Sequence, residues 1–306
     1  MINIIKRRFL FLAISIFALL TSIVLLLAAG LNIGMDFSGG SRLTLNFEQA
    51  VTIDQLESEL ASIGYGTAVV QGTSSGDFII RTEKLAADEK ETLKTNLTAA
   101  FGQFTEKGFE DIPPETAIGT ARVAVIGLVL AAIGIMAYIT WAFRVMPKPF
   151  RYGICAVLAL LHDVLIVLGI FAILGMITHI EVNLMFITGI LAVIGYSVNN
   201  IVVIFDRIRE NVKANPGASF EMIVNNSVTQ TFSRSINTSL TTVITVLALI
   251  LFIGTNIESF AWTLFIGIIV GTLDSLFIAP GLLVVWEKNE WHRFINWLPM
   301  FKAKQQ

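Results

Sequence analysis

Apolar residues in this chain come in long runs. Six of them, approximately 9 to 30, 118 to 141, 152 to 176, 183 to 205, 236 to 256 and 259 to 286, are long enough to be membrane helices, since about 30 Å of hydrocarbon takes roughly 20 apolar residues. The first run follows Lys6, Arg7 and Arg8. Its apolar core exceeds the roughly 7 to 15 residues of a signal-peptide core, so it reads as an uncleaved anchor.

Only the segment between the first two runs is patterned like a water-soluble fold. "RLTLNF" alternates as a strand, and Thr52-Ile53-Asp54-Gln55 is a capping box opening a helix with Ile53, Leu56, Leu60 and Ile63 on one face. "TAVVQG" and "FIIRT" flank "TSSGD" as a hairpin. A second helix then places Leu93, Leu97, Ala100 and Phe101 on one side, and a last strand runs from Phe104 to Phe109. The order β-α-β-β-α-β suits a ferredoxin-like sheet with two helices on one face. About 80 residues can bury such a core without staples, and Pro113-Pro114 ends the segment. The expected fold class is an α-helical membrane protein with six transmembrane helices and one extracytoplasmic α+β domain between helices 1 and 2. The expected divisions are 1–31 (N-terminus and first span), 32–117 (α+β domain), 118–286 (five membrane helices) and 287–306 (cytoplasmic tail).

Composition agrees with the runs. Of 306 residues 55% are hydrophobic and 14% charged, with a mean hydropathy of +0.75, which excludes a soluble globular domain. Placing the N-terminus inside puts Lys6, Arg7, Arg8, Arg144, Lys148, Arg151, Arg207, Arg209, Lys213, Lys288, Arg293, Lys302 and Lys304 on the cytoplasmic side. The short outer connections near His179 and Asn256 then hold no Lys or Arg, as the positive-inside rule asks. Basic residues thus set orientation and leave no nucleic-acid footprint. Cys155 is the only cysteine, so no intrachain disulfide can form.

An ionisable side chain inside a span is a candidate for function or for helix pairing. Asp163, beside His162, lies in the third run, Asp206 ends the fourth, Arg234 opens the fifth and Asp274 lies in the sixth. Arg234, Thr238, Thr241 and Thr245 share one helical face, with Asn237, Ser239 and Thr242 alongside, as a water-accessible lining would. In the fourth run Gly195 permits close helix approach, while Tyr196, Ser197, Asn199 and Asn200 interrupt the apolar sequence. Asn199 shares a face with Asp206, and Asn200 with Ser197 and Arg207. Neither amide titrates, so neither carries a proton; interhelical hydrogen bonding is their bland role.

Two motifs are set aside. "GMDFSGGS", Gly34 to Ser41, has the glycines of a nucleotide loop but Gly40 where the lysine belongs. His162, His179 and His292 are too scattered for a metal site of recognisable spacing. With no nucleophile elbow and no HExxH, no catalytic residue, metal or cofactor is expected.

Four stretches, "GMDFSGGSRL", "LHDVLIVLGIFAILG", "VIGYSVNNIVVIFDRIRENV" and "SRSINTSLTTVITVLALILF", resemble the SecF family of bacterial export membrane proteins, in order and over nearly the whole chain. The resemblance implies a subunit of the RND superfamily in the bacterial cytoplasmic membrane, with both termini cytoplasmic. It implies SecD as partner, with the SecYEG channel, small accessory membrane subunits and the preprotein, and a proton or sodium gradient as energy source. Residue by residue, Arg234 matches an arginine tied to ion conduction, and Asp163 matches the aspartate of "LHD". Asp206, Arg207, Arg209 and Glu210 match a charged cytoplasmic exit, and Asp36, Phe37, Gly39 and Gly40 match the motif joining the first span to the outer domain.

The sequence also departs from the family. Typical members read "GYSVNDT" in the fourth span, with an aspartate central to the ion pathway; Asn200 and Ile201 stand here. They read roughly "GTYSS" in the sixth, where Asp274 interrupts "GTLDS". The expectation is that the acid has moved to the sixth helix, beside Asn200 and Arg234. The alternatives are that SecD alone supplies the acid, or that the site favours another ion. Beyond these stand an RND-like half transporter of small molecules or lipids, and a scaffold. The first would normally carry a second homologous half in the same chain, and no such repeat is visible.

Overall fold

The computed structural model describes residues 3–73, 75–252 and 257–291. The expected tail therefore lies largely outside the described residues, as do Asn256, His292, Arg293, Lys302 and Lys304. Two compact units divide the chain. Residues Asn32–Ile126 and Glu181–Leu184 form one, and the remainder forms the other.

Among the described residues six helices are long and apolar enough to cross a membrane. They are α1 (Arg8–Ala28), continuing a 3₁₀ turn at Ile5–Arg7, then α5 (Pro114–Ala142), α6 (Phe150–Thr178), α7 (Leu184–Ala214) and α8 (Phe220–Phe252). The sixth combines α9 (Glu258–Leu273), a π-helical segment at Asp274–Ile278 and α10 (Ala279–Glu287). The chain is a multi-pass membrane protein. Apolarity marks the lipid-embedded part of each helix and not its ends: α7 runs through the charged "DRIRE", and α8 begins at Phe220. Arg234 consequently lies well inside α8, where the sequence had it opening the span.

The α+β unit follows the expected order. A short α2 (Met35–Ser38) precedes β1 (Gly40–Phe47), α3 (Ile53–Ser62), β2 (Val69–Gly72), β3 (Phe78–Thr82), α4 (Ala87–Phe101) and β4 (Phe104–Ile112). The strands are antiparallel in the order β2-β3-β1-β4, the split βαβ arrangement. Thr52 and Gln55 form the capping box that starts α3. Leu43, Leu45, Phe47 and Ile80 from the sheet meet Leu56 and Leu60 of α3 and Leu93 and Leu97 of α4 in one core. Ile53 and Ala100 were expected on the buried faces. Both are exposed, because each stands at the margin of its helix's apolar stripe.

The membrane unit packs α6, α7 and the sixth span centrally, through small residues. A Cβ on Gly267 would meet Val193 Cγ2 at 2.3 Å, and one on Gly271 would meet Ser197 Oγ at 3.0 Å. Gly195, read as a point of close approach, faces open space instead; it falls on the outward side of α7, opposite the buried Val193 and Ser197. Toward one end of the bundle Phe143 and Tyr152 stack at 5.4 Å, with Phe205 edge-on to both.

Candidate functional site

Consecutive residues on a helix point about 100° apart, so His162 and Asp163 on α6 address different neighbours. Asp163 is fully buried and accepts a hydrogen bond from Ser197 Oγ of α7 at 2.6 Å. His162 Nδ1 lies 2.5 Å from Asp274 Oδ2, and its Nε2 lies 2.7 Å from Ser15 Oγ of α1 and 3.2 Å from the Ser15 carbonyl. A ring nitrogen of His162 and one oxygen from each of Asp163 and Asp274 all fall within 4.8 Å of one another.

Local backbone helps bring them together. Asp274 opens the π-helical segment of the sixth span, an irregularity that re-aims side chains and recurs at functional sites. Gly271, one turn before, leaves the room that a methyl would close: its Cβ would stand 3.2 Å from Asp163 Oδ2. Asp163 Oδ1 and Asn200 Nδ2 are buried without a hydrogen-bond partner. Beside the cluster lies a cavity of about 280 Å³, lined by apolar residues of α1, α6 and the sixth span together with Ser15, His162 and Asp274.

The other sequence candidates fall elsewhere. Asn200 is buried and Asn199 exposed, so the two amides do face different surroundings. Arg234, Thr238 and Thr241 are exposed on α8, and no ion pair joins Arg234 to Asp274 among the described residues. The threonines bond their own helix: Thr241 Oγ1 donates to the Thr238 carbonyl at 2.9 Å, and Thr245 Oγ1 to the Thr241 carbonyl at 3.0 Å. The inward face of α8 carries Ser239 instead, which accepts from Thr272 Oγ1 at 2.6 Å and from the Tyr196 hydroxyl at 3.0 Å. Asp274 is thus held by the third span, not placed beside Arg234. At the charged exit, Arg207 pairs with Glu210 at 2.9 Å and Arg209 with Asp206, all on one continuous helix.

The "GMDFSGG" segment packs on the connection between α6 and α7. Gly34 N–H donates to the Val182 carbonyl at 2.9 Å, Val182 N–H donates to the Asn32 carbonyl at 2.8 Å, and Asp36 Oδ2 accepts from Leu184 N–H at 2.8 Å. Phe37 sits in the short α2. Gly39 and Gly40 have φ of 74° and 118°, and a Cβ on Gly40 would lie 2.5 Å from the Thr82 carbonyl oxygen. This motif is a packing junction, which explains glycines that serve no phosphate. Arg81 of β3 pairs with Glu181 at 2.6 Å. Burial pulls the Arg81 guanidinium below its usual value and pushes the Glu181 carboxyl up, each only partly offset by the other's charge.

Sequence reasoning set His162 aside and did not single out Ser15. The adjacent His-Asp pair was the available signal; its partner Asp274 lies 112 residues away.

Comparison with known proteins bears on the whole arrangement. Residues 92–289 match the family model for the C-terminal region of the protein export membrane proteins SecD and SecF, and residues 24–51 match the SecD/SecF GG motif. Protein translocase subunit SecF of Thermobaculum terrenum is 42% identical over 308 residues, covering 97% of both chains. The corresponding subunit of Anaerolinea thermophila is 36% identical, again over 97% of each. Protein translocase subunit SecDF of Bacillus subtilis is 33% identical over 93% of this chain and 38% of its own length. The crystal structure of SecDF from Thermus thermophilus, titled a translocon-associated membrane protein, superposes with a TM-score of 0.83 at 31% identity. That match covers 94% of this chain and 39% of the longer one.

Proposed function

As the chain belongs to the SecD/SecF family of protein export membrane proteins, we propose that it works beside a SecD partner to complete preprotein translocation across the bacterial cytoplasmic membrane, driven by an ion gradient. The observation that carries this reading is the pair of matches of different reach. The chain covers a translocase subunit SecF almost end to end but only 39% of SecDF, so in SecDF the rest of the polypeptide does what a separate SecD would do here.

In this reading both termini are cytoplasmic and the α+β unit is on the outer side, where it meets the emerging chain near the SecYEG channel. No bond of the preprotein is made or broken; the protein is a mechanical subunit and not an enzyme. Energy enters through the membrane helices, because the glycine-rich segment lacks a nucleotide lysine. Buried ionisable groups mark the route. Asp163, Asp274 and Asn200 belong to its inner part, while Arg234, Thr238, Thr241 and Asn199 present a polar surface suited to the SecD helices.

The test is preprotein export in membranes depleted of the native subunit and supplied with this chain and its SecD. Export that rises with this chain and falls when an ionophore collapses the gradient supports the reading. Export indifferent to the chain, or equally stimulated without SecD, overturns it and favours a self-sufficient transporter half.

A further inference from the structure

We propose that His162, Asp163 and Asp274 together bind exchangeable protons inside the membrane, as one site shared by the third and sixth spans. It deepens the reading above only in saying which ion is used; the binding itself does not depend on export.

Charge balance comes first. Two carboxylates beside a neutral imidazole would place two negative charges within 4.8 Å of one another in a buried, apolar setting. No lysine or arginine among the described residues offsets them. From α1 the cluster meets Ser15, and Arg8 of the same helix is engaged by Glu221 and Glu290. From α7 it meets Ser197, while Asp206, Arg207, Arg209 and Glu210 pair with one another. On α8 Ser239 accepts from Thr272, two residues before Asp274, and Arg234 is exposed. The missing positive charge must come from solution.

Geometry favours a proton over a metal. Ligands about 2.1 Å from a tetrahedral ion stand about 3.4 Å apart, whereas His162 Nδ1 and Asp274 Oδ2 are 2.5 Å apart. That gap fits one shared hydrogen. Two arrangements use the same heavy atoms. They differ by one proton: in the emptied state Nδ1–H donates to the Asp274 carboxylate and Nε2 accepts from the Ser15 hydroxyl, and after one proton is taken up the hydrogen between Nδ1 and Asp274 Oδ2 is shared while an Nε2–H donates to the Ser15 carbonyl. Asp163 Oδ2 is engaged by Ser197, but its buried Oδ1 has no partner. A second proton there makes the loaded cluster neutral, and its release leaves one negative charge spread over the group. Ser15, His162 and Asp274 also line one side of the adjoining cavity of about 280 Å³, whose other walls are apolar.

The experiment is infrared difference spectroscopy of the full chain in lipid nanodiscs, titrated with acid and, separately, with sodium at fixed pH. A protonated-carboxyl band that shifts in deuterated water is expected. It should be lost or halved in Asp274→Asn and in Asp163→Asn, with its midpoint moved in His162→Gln. Ser197→Ala keeps every charge and should change the band's frequency alone, which covers the case that an aspartate variant fails to fold. A native protein without the band, a band indifferent to all four substitutions, or one displaced by sodium at constant pH overturns the proposal. Export unaffected by Asp274→Asn while the band behaves as expected would assign the coupling acid of export to SecD and leave the site standing.

Discussion

His162 Nδ1 sits 2.5 Å from Asp274 Oδ2, tying the middle of the third span to the point where the sixth departs from α-helical geometry. The acid of the sixth span is therefore part of a four-helix polar junction that includes Ser15 and, through Asp163, Ser197.

An amide at 274 keeps a hydrogen bond to His162 but takes up no proton. Asp274→Asn should therefore lower gradient-dependent export while leaving assembly with SecD intact. A coupling free energy of about 1–3 kcal/mol corresponds to roughly 5–150-fold, and a loss in that range is expected in a vesicle export assay. Unchanged export would assign the coupling acid to SecD alone.

Asn200 is buried, with its amide nitrogen unsatisfied, on the same face of α7 as Ser197. Asn200→Asp introduces a carboxyl at this position. On the Asp274→Asn background it should recover part of the lost export, and in the native background it should add a further acid to a crowded interior and lower thermal stability. If the double variant exports no better than Asp274→Asn, the two positions are not interchangeable.

How much was legible follows from which forces are local. Run length gave six spans because hydrocarbon thickness is a fixed ruler, and the Thr52–Gln55 box located α3 because capping is settled within four residues. Helix ends were not legible: polar helix outside the hydrocarbon, as in α8 from Phe220, has no apolar signature. The pairing of His162 with Asp274 is a tertiary fact, set by how α1, α6 and the sixth span pack. The outward direction of Gly195 and of Asn199 was hidden for the same reason.

Glycines on these helices are not equivalent. Gly267→Ala places a methyl 2.3 Å from Val193 Cγ2 and should cost about 1–3 kcal/mol through overpacking, read as a lower unfolding midpoint in detergent. Gly195→Ala meets nothing within 4 Å and should leave the midpoint unchanged or raise it slightly through helix propensity. Equal losses would mean that α7 packs on a different face.

Glu106 of β4 accepts from Lys90 at 2.6 Å and pairs with Lys94 at 3.0 Å, both on α4. The hydrogen bond from Lys90 holds its carboxyl below the usual 4.5, and Lys94 is raised in turn, chiefly by its bond to Glu106. A depressed acid contributes stability above its unfolded value that is lost as pH falls through the folded one. Amide exchange along β4, corrected for intrinsic rates, should quicken below about pH 4.5. In Glu106→Gln that acid-specific step should vanish.

Arg81 and Glu181 join β3 to the connection between α6 and α7, and both are largely buried. Burial opposes both charges: the guanidinium is held below its usual value and the carboxyl above it, so the ion pair only partly compensates desolvation. Such a pair adds little net stability, yet stranding one member costs about 3–5 kcal/mol. Glu181→Gln should therefore destabilise strongly, because Arg81 already has Nε and Nη2 without partners. Arg81→Met with Glu181→Leu should recover most of the loss in a double-mutant cycle read by thermal unfolding. A raised acid stabilises below its unfolded value and loses that contribution as pH rises through the folded one, so the native protein has already lost it at neutrality and the gap between it and the non-titrating Glu181→Gln should widen as pH falls. A double variant no more stable than either single one would mean that these charges make contacts of their own beyond the pair.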